Sequence, residues 1–284
     1  MIPAVFDYVK ASSVDDALRA LASGGEDAKI LAGGQSLIPL LRLRLAAPAL
    51  LVDLTGVEEM RGIREEGDSV VIGAMTTHST VLNDPLVARY ATLVQQATAT
   101  VADRQVRHRG TFGGSLAHAD PAGDLPAVAV ASGAVFEIAG SGGRRSVPAS
   151  EFFLDYLTTA IGPDEILTAV RLPKREGWDT HYEKFQRMAQ AWAIVGVAAA
   201  VRWEGGSIAE ASVALTNMGA TPVRASSVEQ ALIGSDGSLA AVTAAAAHAV
   251  EGTSATGDVN ASADYRRHLA GVLTRRAIQS AIAS

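Results

Sequence analysis

Two glycine pairs constrain the fold of this chain more than any other feature. They stand in Ala32-Gly33-Gly34-Gln35-Ser36 and in Thr111-Phe112-Gly113-Gly114-Ser115, each followed shortly by a small hydroxyl residue. A Gly-Gly step lets the backbone turn through positive φ and lets a ligand approach with no Cβ in the way, while consecutive N–H groups and a hydroxyl can point at anionic oxygens. The first pair follows Lys29-Ile30-Leu31-Ala32, which reads as a buried strand, and precedes Leu37 to Leu45, which reads as a short helix or turn. That makes it a βα loop at a strand end. Alone, Gly33-Gly34 reads equally well as a plain turn; two such loops brought together would suit a dinucleotide pyrophosphate.

The elements around the loops follow from apolar periodicity and turn residues. Phe6-Asp7-Tyr8 is a strand candidate, and Ser12 or Ser13 can cap a helix from Val14 to Ala22 that Gly24-Gly25 stops. Leu50 to Leu54 reads as a strand, and Gly62 to Arg64 with Ser69 to Gly73 as a hairpin. Helices are expected over Thr77 to Asn83 and Leu86 to Val101. Asp124 is placed to cap a helix over the apolar run Leu125 to Ala131. A second hairpin joins Ala134 to Ile138 with Arg145 to Val147, and Ile166 to Leu172 is a further strand. The polar stretch Pro173 to Trp178 marks a domain boundary. Beyond it come long strands, Thr180 to Arg187, Ala193 to Trp203 and Ser207 to Leu215, and then helices over Ser226 to Ile233, Leu239 to Val250 and Ala263 to Ala283. Strands followed by helices predict an α+β cap.

Composition narrows the chemistry. With 284 residues, 48% of them hydrophobic, the chain can bury a substantial core divided between about two domains. No run approaches the ~18 apolar residues of a membrane span, and Met1-Ile2-Pro3-Ala4 lacks a basic, apolar leader, so a cytoplasmic protein is expected. The absence of cysteine removes disulfides, thiolate nucleophiles and cysteine-bound zinc or iron-sulfur clusters from this polypeptide, and its six histidines show no metal-ligand spacing. A redox cofactor held here would be organic. A net charge of −6 argues against a nucleic-acid partner. His118 and Asp120 read better as a polar turn before Pro121 than as a base and its orienting acid. Arg107-His108-Arg109 fits an anion grip or a solvated basic turn equally. Trp192 reads as core unless it lines a cofactor.

Five segments in order carry a specific resemblance. Ala32-Gly33-Gly34-Gln35-Ser36-Leu37-Ile38-Pro39-Leu40-Leu41, Ile72-Gly73-Ala74-Met75-Thr76-Thr77-His78 and Arg109-Gly110-Thr111-Phe112-Gly113-Gly114-Ser115-Leu116-Ala117-His118-Ala119-Asp120-Pro121 resemble the FAD-binding medium subunit of molybdenum hydroxylases (the xanthine dehydrogenase family), in its carbon monoxide dehydrogenase branch. Tyr182-Glu183-Lys184-Phe185 through Ala193-Ile194-Val195-Gly196-Val197, and Tyr265-Arg266-Arg267-His268-Leu269, resemble its C-terminal domain. The resemblance implies an α+β protein: a vanillyl-alcohol-oxidase-type FAD-binding domain over residues 1–175, with two α/β subdomains at about 1–55 and 56–175. A C-terminal α+β domain follows over 176–284, a three-stranded antiparallel sheet with helices.

It also implies non-covalent FAD. The backbone of Ala32, Gly33, Gly34, Gln35 and Ser36 and that of Thr111, Phe112, Gly113, Gly114 and Ser115 would hold the pyrophosphate, with Leu37 and Gly110 among the other cofactor-binding residues. Asp124 would hydrogen-bond toward the adenosine side and Leu167 would pack near the adenine. Thr76 and Thr77 would lie close to the cofactor, Trp192 beside the isoalloxazine ring, and Lys184 would be a further contact. The family often has Asn at the place of His108 and Ile at that of Phe112; neither change removes a loop amide. No residue is assigned a catalytic role, because the expected chemistry is electron relay: molybdopterin in a large subunit and [2Fe-2S] clusters in a small subunit feed this flavin, which reduces an acceptor such as quinone, dioxygen or NAD. A dimer of heterotrimers is implied. Members of the family oxidise carbon monoxide, aldehydes, purines or N-heteroaromatics, the choice being made on another chain. Rival readings are a stand-alone FAD-dependent reductase of the same fold and a non-catalytic flavin-binding assembly component.

Overall fold

Short apolar runs between glycine turns build the first of three larger sheets; among the described residues a fourth, two-stranded pairing joins Phe153–Asp155 to Thr158–Thr159. In the computed structural model, which describes residues 2–283, strand Leu50–Asp53 lies between Asp7–Lys10 and Ala28–Leu31, all three parallel. Parallel neighbours need crossovers, and helices Val14–Gly24 and Leu37–Leu43 supply them. The first helix starts where Ser13 Oγ accepts from Asp16 N at 3.1 Å and stops where Gly25 turns to φ +57°. Ser13, not Ser12, is therefore the cap.

The second sheet is antiparallel, in the order Ile63–Glu66, Ser69–Gly73, Glu165–Pro173, Val135–Gly140, Gly143–Pro148. Both expected hairpins are present, and the strand from Glu165 runs between them. The helix expected from Leu86 to Val101 is two, Pro85–Tyr90 and Thr92–Thr100, because Ala91 leaves the helical region at φ −138°, ψ 45°. Asp124 is the first residue of helix Asp124–Ser132 rather than its cap; Gly123 holds the cap position, and no side chain bonds there.

The third sheet orders Asp179–Phe185, Val195–Glu204, Ser207–Thr216 and Val223–Arg224. It has four strands, not three. The fourth is two residues long, pairing Leu215 with Val223 and Ala214 with Arg224, too short for any period to announce it. The central strand is buried from Val195 to Val201 on both faces, which is why it reads as an unbroken apolar run. Val195, Val197, Ala199 and Val201 join one core with helices Ser226–Leu232, Leu239–Ala246 and Ala263–Ile282. Ala198, Ala200 and Ala214 join the other core, which continues into the first two sheets. Alternating larger and small side chains thus let helices Thr92–Thr100 and Asp124–Ser132 sit close on the small face, where Ser212 Oγ donates to Ala131 O at 2.6 Å. Ala198→Leu is expected to overpack this seam and lower stability by about 1–3 kcal/mol. The readout is a lower urea midpoint at unchanged slope.

Candidate functional site

Where the first two sheets and the loop before Val195 meet, they enclose a cleft of about 730 Å³. That volume is within the range of small-molecule sites, roughly 300–1,000 Å³. The first glycine loop forms one wall. Gly34 turns at φ +74°, and a Cβ on Gly33 would lie 2.3 Å from the carbonyl oxygen of Arg109 and 2.7 Å from Gly110 Cα. The two glycine segments therefore touch, and only glycine permits the contact. The backbone N–H groups of Gly33, Gly34, Gln35, Ser36 and Leu37 donate to no described residue, and the Ser36 hydroxyl makes no capping bond. Five consecutive backbone donors without a protein partner on a cleft wall are available to an anionic ligand.

The second segment is built differently from the expectation. It is the start of helix Phe112–His118, and neither Gly113 nor Gly114 has positive φ. Its amides are spent inside the protein: Phe112 N on Thr76 O at 2.8 Å, Gly113 N on Ala74 O at 2.9 Å, Gly114 N on Thr111 Oγ1 and Ser115 N on Thr111 O, both at 3.1 Å. Ser115 Oγ donates to Phe112 O at 2.9 Å. These glycines are needed for close packing instead, since a Cβ on Gly113 would sit 2.4 Å from Ala74 Cβ and one on Gly114 2.6 Å from Thr111 Oγ1. The cradle is asymmetric, with donors on the first wall and a tightly packed second wall.

The structure brings all the expected site residues to the cleft except three. Thr76 spends its hydroxyl on Gly62 O at 3.0 Å, Thr77 caps helix His78–Asn83, and Phe112 is buried in the core. All three support the wall from behind: Thr77 bridges to Thr111 and Thr76 holds Phe112 N. Trp192, 55% exposed, stands on the rim and not in the core. His118 and Asp120 are 3.9 Å apart, and Asp120 Oδ1 accepts from Ala122 N, as a polar turn does. Arg107 donates to the carbonyls of Val101 and Ala102, tying down the preceding turn.

Asp124 belongs to a buried network that joins the cleft to the third sheet. Lys184 Nζ lies 2.8 Å from Asp124 Oδ2 with both side chains 4% exposed, and Tyr182 Oη donates to Asp124 Oδ1 at 2.7 Å. Lys184 also donates to Thr100 O at 3.1 Å, and Tyr182 Oη lies 3.3 Å from Thr216 Oγ1. Burial pushes the Asp124 carboxyl up, against the pull of the Lys184 charge; burial, then the Asp124 charge, push the Tyr182 hydroxyl well above its ordinary range. Tyr182 therefore stays a donor.

Sequence reasoning assigned no role to His78 or to the wall running from Leu157 to Ile166. Leu157 carries a signal visible only in coordinates, a non-glycine φ of +53°. His78 is 3% exposed, and its pKa is lowered to about 4 by burial and then by the Arg107 charge. Among the described residues no cluster of His, Asp and Glu could hold a metal ion, and no helix is long and apolar enough to cross a membrane.

Residues 4–175 match the family described as the FAD binding domain in molybdopterin dehydrogenase, and residues 180–281 match the CO dehydrogenase flavoprotein C-terminal domain. The chain is 40% identical to the carbon monoxide dehydrogenase medium chain of Hydrogenophaga pseudoflava, over 99% of its own length and 98% of the relative's. It is 37% identical to the 6-hydroxypseudooxynicotine dehydrogenase complex subunit alpha of Paenarthrobacter nicotinovorans, over 99% and 96%. Among solved structures, carbon monoxide dehydrogenase from Hydrogenophaga pseudoflava superposes with a TM-score of 0.97 at 42% identity, covering 100% of this chain and 99% of that one. Quinoline 2-oxidoreductase from Pseudomonas putida 86 gives 0.95 at 34%, with the same coverage.

Lys184→Met is expected to leave a buried carboxylate unpaired and to cost about 3–5 kcal/mol in chemical denaturation, most of it recovered when Asp124→Leu is added. For His78, the folded pKa lies below the ordinary 6.5, so the unfolded chain binds the proton first. Its contribution to stability is whole above pH 6.5 and is lost as pH falls toward 4, to a total of about 3 kcal/mol. Urea unfolding should thus show stability rising with pH over this window, and His78→Gln should flatten the rise between pH 5 and 6.5.

Proposed function

Since this chain belongs to the carbon monoxide dehydrogenase-type family of FAD-binding medium subunits of molybdenum hydroxylases, we propose that it takes electrons from [2Fe-2S] clusters of a partner subunit and passes them through FAD to an external acceptor. The observation that carries the reading is the run of five unspent amides from Gly33 to Leu37 facing a cleft large enough for much of a dinucleotide. Those amides and the Ser36 hydroxyl would hold the diphosphate, with the wall from Gly110 to Ser115 packed opposite. Asp124 and Lys184 would border the adenosine side, Leu167 the adenine and Trp192 the flavin ring. Thr76, Thr77 and Phe112 would act from behind that wall. When bound, FAD supplies the redox chemistry; the chain's own residues bind it, orient it and limit its contact with water.

The domain reading assigns residues 1–175 to FAD binding, in subdomains of about 1–55 and 56–175, and 176–284 to the C-terminal unit; the family matches to 4–175 and 180–281 support it. The partners would be a large molybdopterin subunit and a small [2Fe-2S] subunit, in a dimer of heterotrimers. A chain without cysteine has no thiolates to hold such clusters itself. Relatives named for carbon monoxide and for 6-hydroxypseudooxynicotine share this architecture, which fits substrate choice on another subunit.

Expressed alone and supplied with FAD, the chain should turn yellow, yet neither oxidise organic substrates nor consume NADPH. Co-expressed with the proposed large and small subunits, its flavin absorbance should bleach when the complex meets substrate without an acceptor. A colourless chain overturns the flavin assignment; NADPH oxidation by the isolated chain would favour a stand-alone reductase, and a flavin never bleached in the complex would favour an assembly component.

A further inference from the structure

His78 is the polar side chain of the cleft whose position its protein neighbours do not explain. Its backbone is fixed: the N–H donates to Gly110 O at 2.9 Å, beside the bridge between Thr77 and Thr111, so the first turn of helix His78–Asn83 is strapped to the second glycine segment. Its ring lies against that segment. A Cβ on Gly110 would come within 2.9 Å of His78 Cδ2 and 3.2 Å of Nε2, so residue 110 must lack a Cβ for the imidazole to sit where it does. The ring lines the cleft and is 3% exposed, yet it makes no hydrogen bond to any described residue, and Nδ1 is fully buried without a partner. Buried polar groups are nearly always satisfied, and an apolar side chain of similar size would fill this space without losing a hydrogen bond to water. A neutral imidazole has one donor and one acceptor nitrogen, and both are unspent here.

We infer that the His78 imidazole is a hydrogen-bonding contact for the bound dinucleotide, held against the Gly110–Thr111 turn. This rests on the FAD reading above and adds to it a residue that leaves the loop amides untouched. His78 would position the cofactor from the second wall, which otherwise offers few free polar groups because its helix amides are spent internally.

The test uses the full-length apo-protein titrated with FAD, following flavin fluorescence and the visible absorption of the bound flavin. For His78→Leu, the melting temperature without FAD should be equal to or above that of the wild type, while the Kd for FAD rises roughly tenfold and the flavin band shifts. His78→Gln, which restores a donor and an acceptor, should recover part of the affinity. Gly110→Ala, which displaces the ring, should weaken binding as well, and should add little further loss in the His78→Leu background. Wild-type affinity and an unshifted band in His78→Leu would overturn the inference while leaving the FAD reading intact. If Leu at this position prevents folding, Gly110→Ala binding FAD like the wild type would overturn it equally. A wild-type chain that takes up no FAD overturns both.

Discussion

The contact between Gly33 and the Arg109–Gly110 backbone is the interaction on which the rest of the site depends. It joins a loop of the parallel sheet to the entry of helix Phe112–His118, two segments far apart in sequence, at a distance that no side chain at residue 33 would allow. The loop held by that contact lines the cleft, and its amides from Gly33 to Leu37 are left without protein partners. The opposite wall is made rigid by the reverse arrangement. Its amides close on Ala74, Thr76 and Thr111, and Gly113 lies flush on Ala74. One glycine pair exposes donors and the other removes bulk, so similar sequence patterns serve different physical ends.

A second constraint reaches the cleft from the C-terminal sheet. Strand Val195–Glu204 is buried on both faces, with alanines toward the FAD-domain helices, and this large apolar seam fixes where Tyr182 and Lys184 of the neighbouring strand fall. Both reach Asp124 at the start of a helix that borders the cleft. Ionic groups buried at such a seam add little net stability over apolar ones, but they are costly to misplace. The network ties the edge strand of that sheet to the helix bordering the cleft through Asp124.

Much of the fold was legible in the sequence wherever one local rule sufficed. The serine cap at Ser12 or Ser13 with the Gly24-Gly25 stop, the hairpins around Gly67 and Gly142, and the apolar runs at Leu50 and Val195 all became elements near their expected limits. The failures share a cause in long-range context. The break at Ala91 has no glycine or proline to mark it, and Val223–Arg224 is a strand only because Ser207–Thr216 lies beside it. At the site, the glycine pairs identified the walls, but sequence could not show that the amides of Phe112 to Ser115 would be consumed by neighbours brought in by the fold. His78 stood in a quoted motif without an assignment, since a lone histidine beside threonines announces nothing until its missing partners can be counted.

The cleft draws its walls from the parallel sheet, the antiparallel sheet and the loop of the third sheet, so no one of them forms it alone. A ligand seated there contacts all three, and its binding energy is added to the packing that holds them together, because the unfolded chain cannot assemble the same surface. On the flavin reading, the unspent amides and the unpartnered imidazole are the groups through which a dinucleotide would add to that packing. A chain without cysteine belongs to an oxidoreductase through the organic cofactor that its FAD-binding domain is built to take.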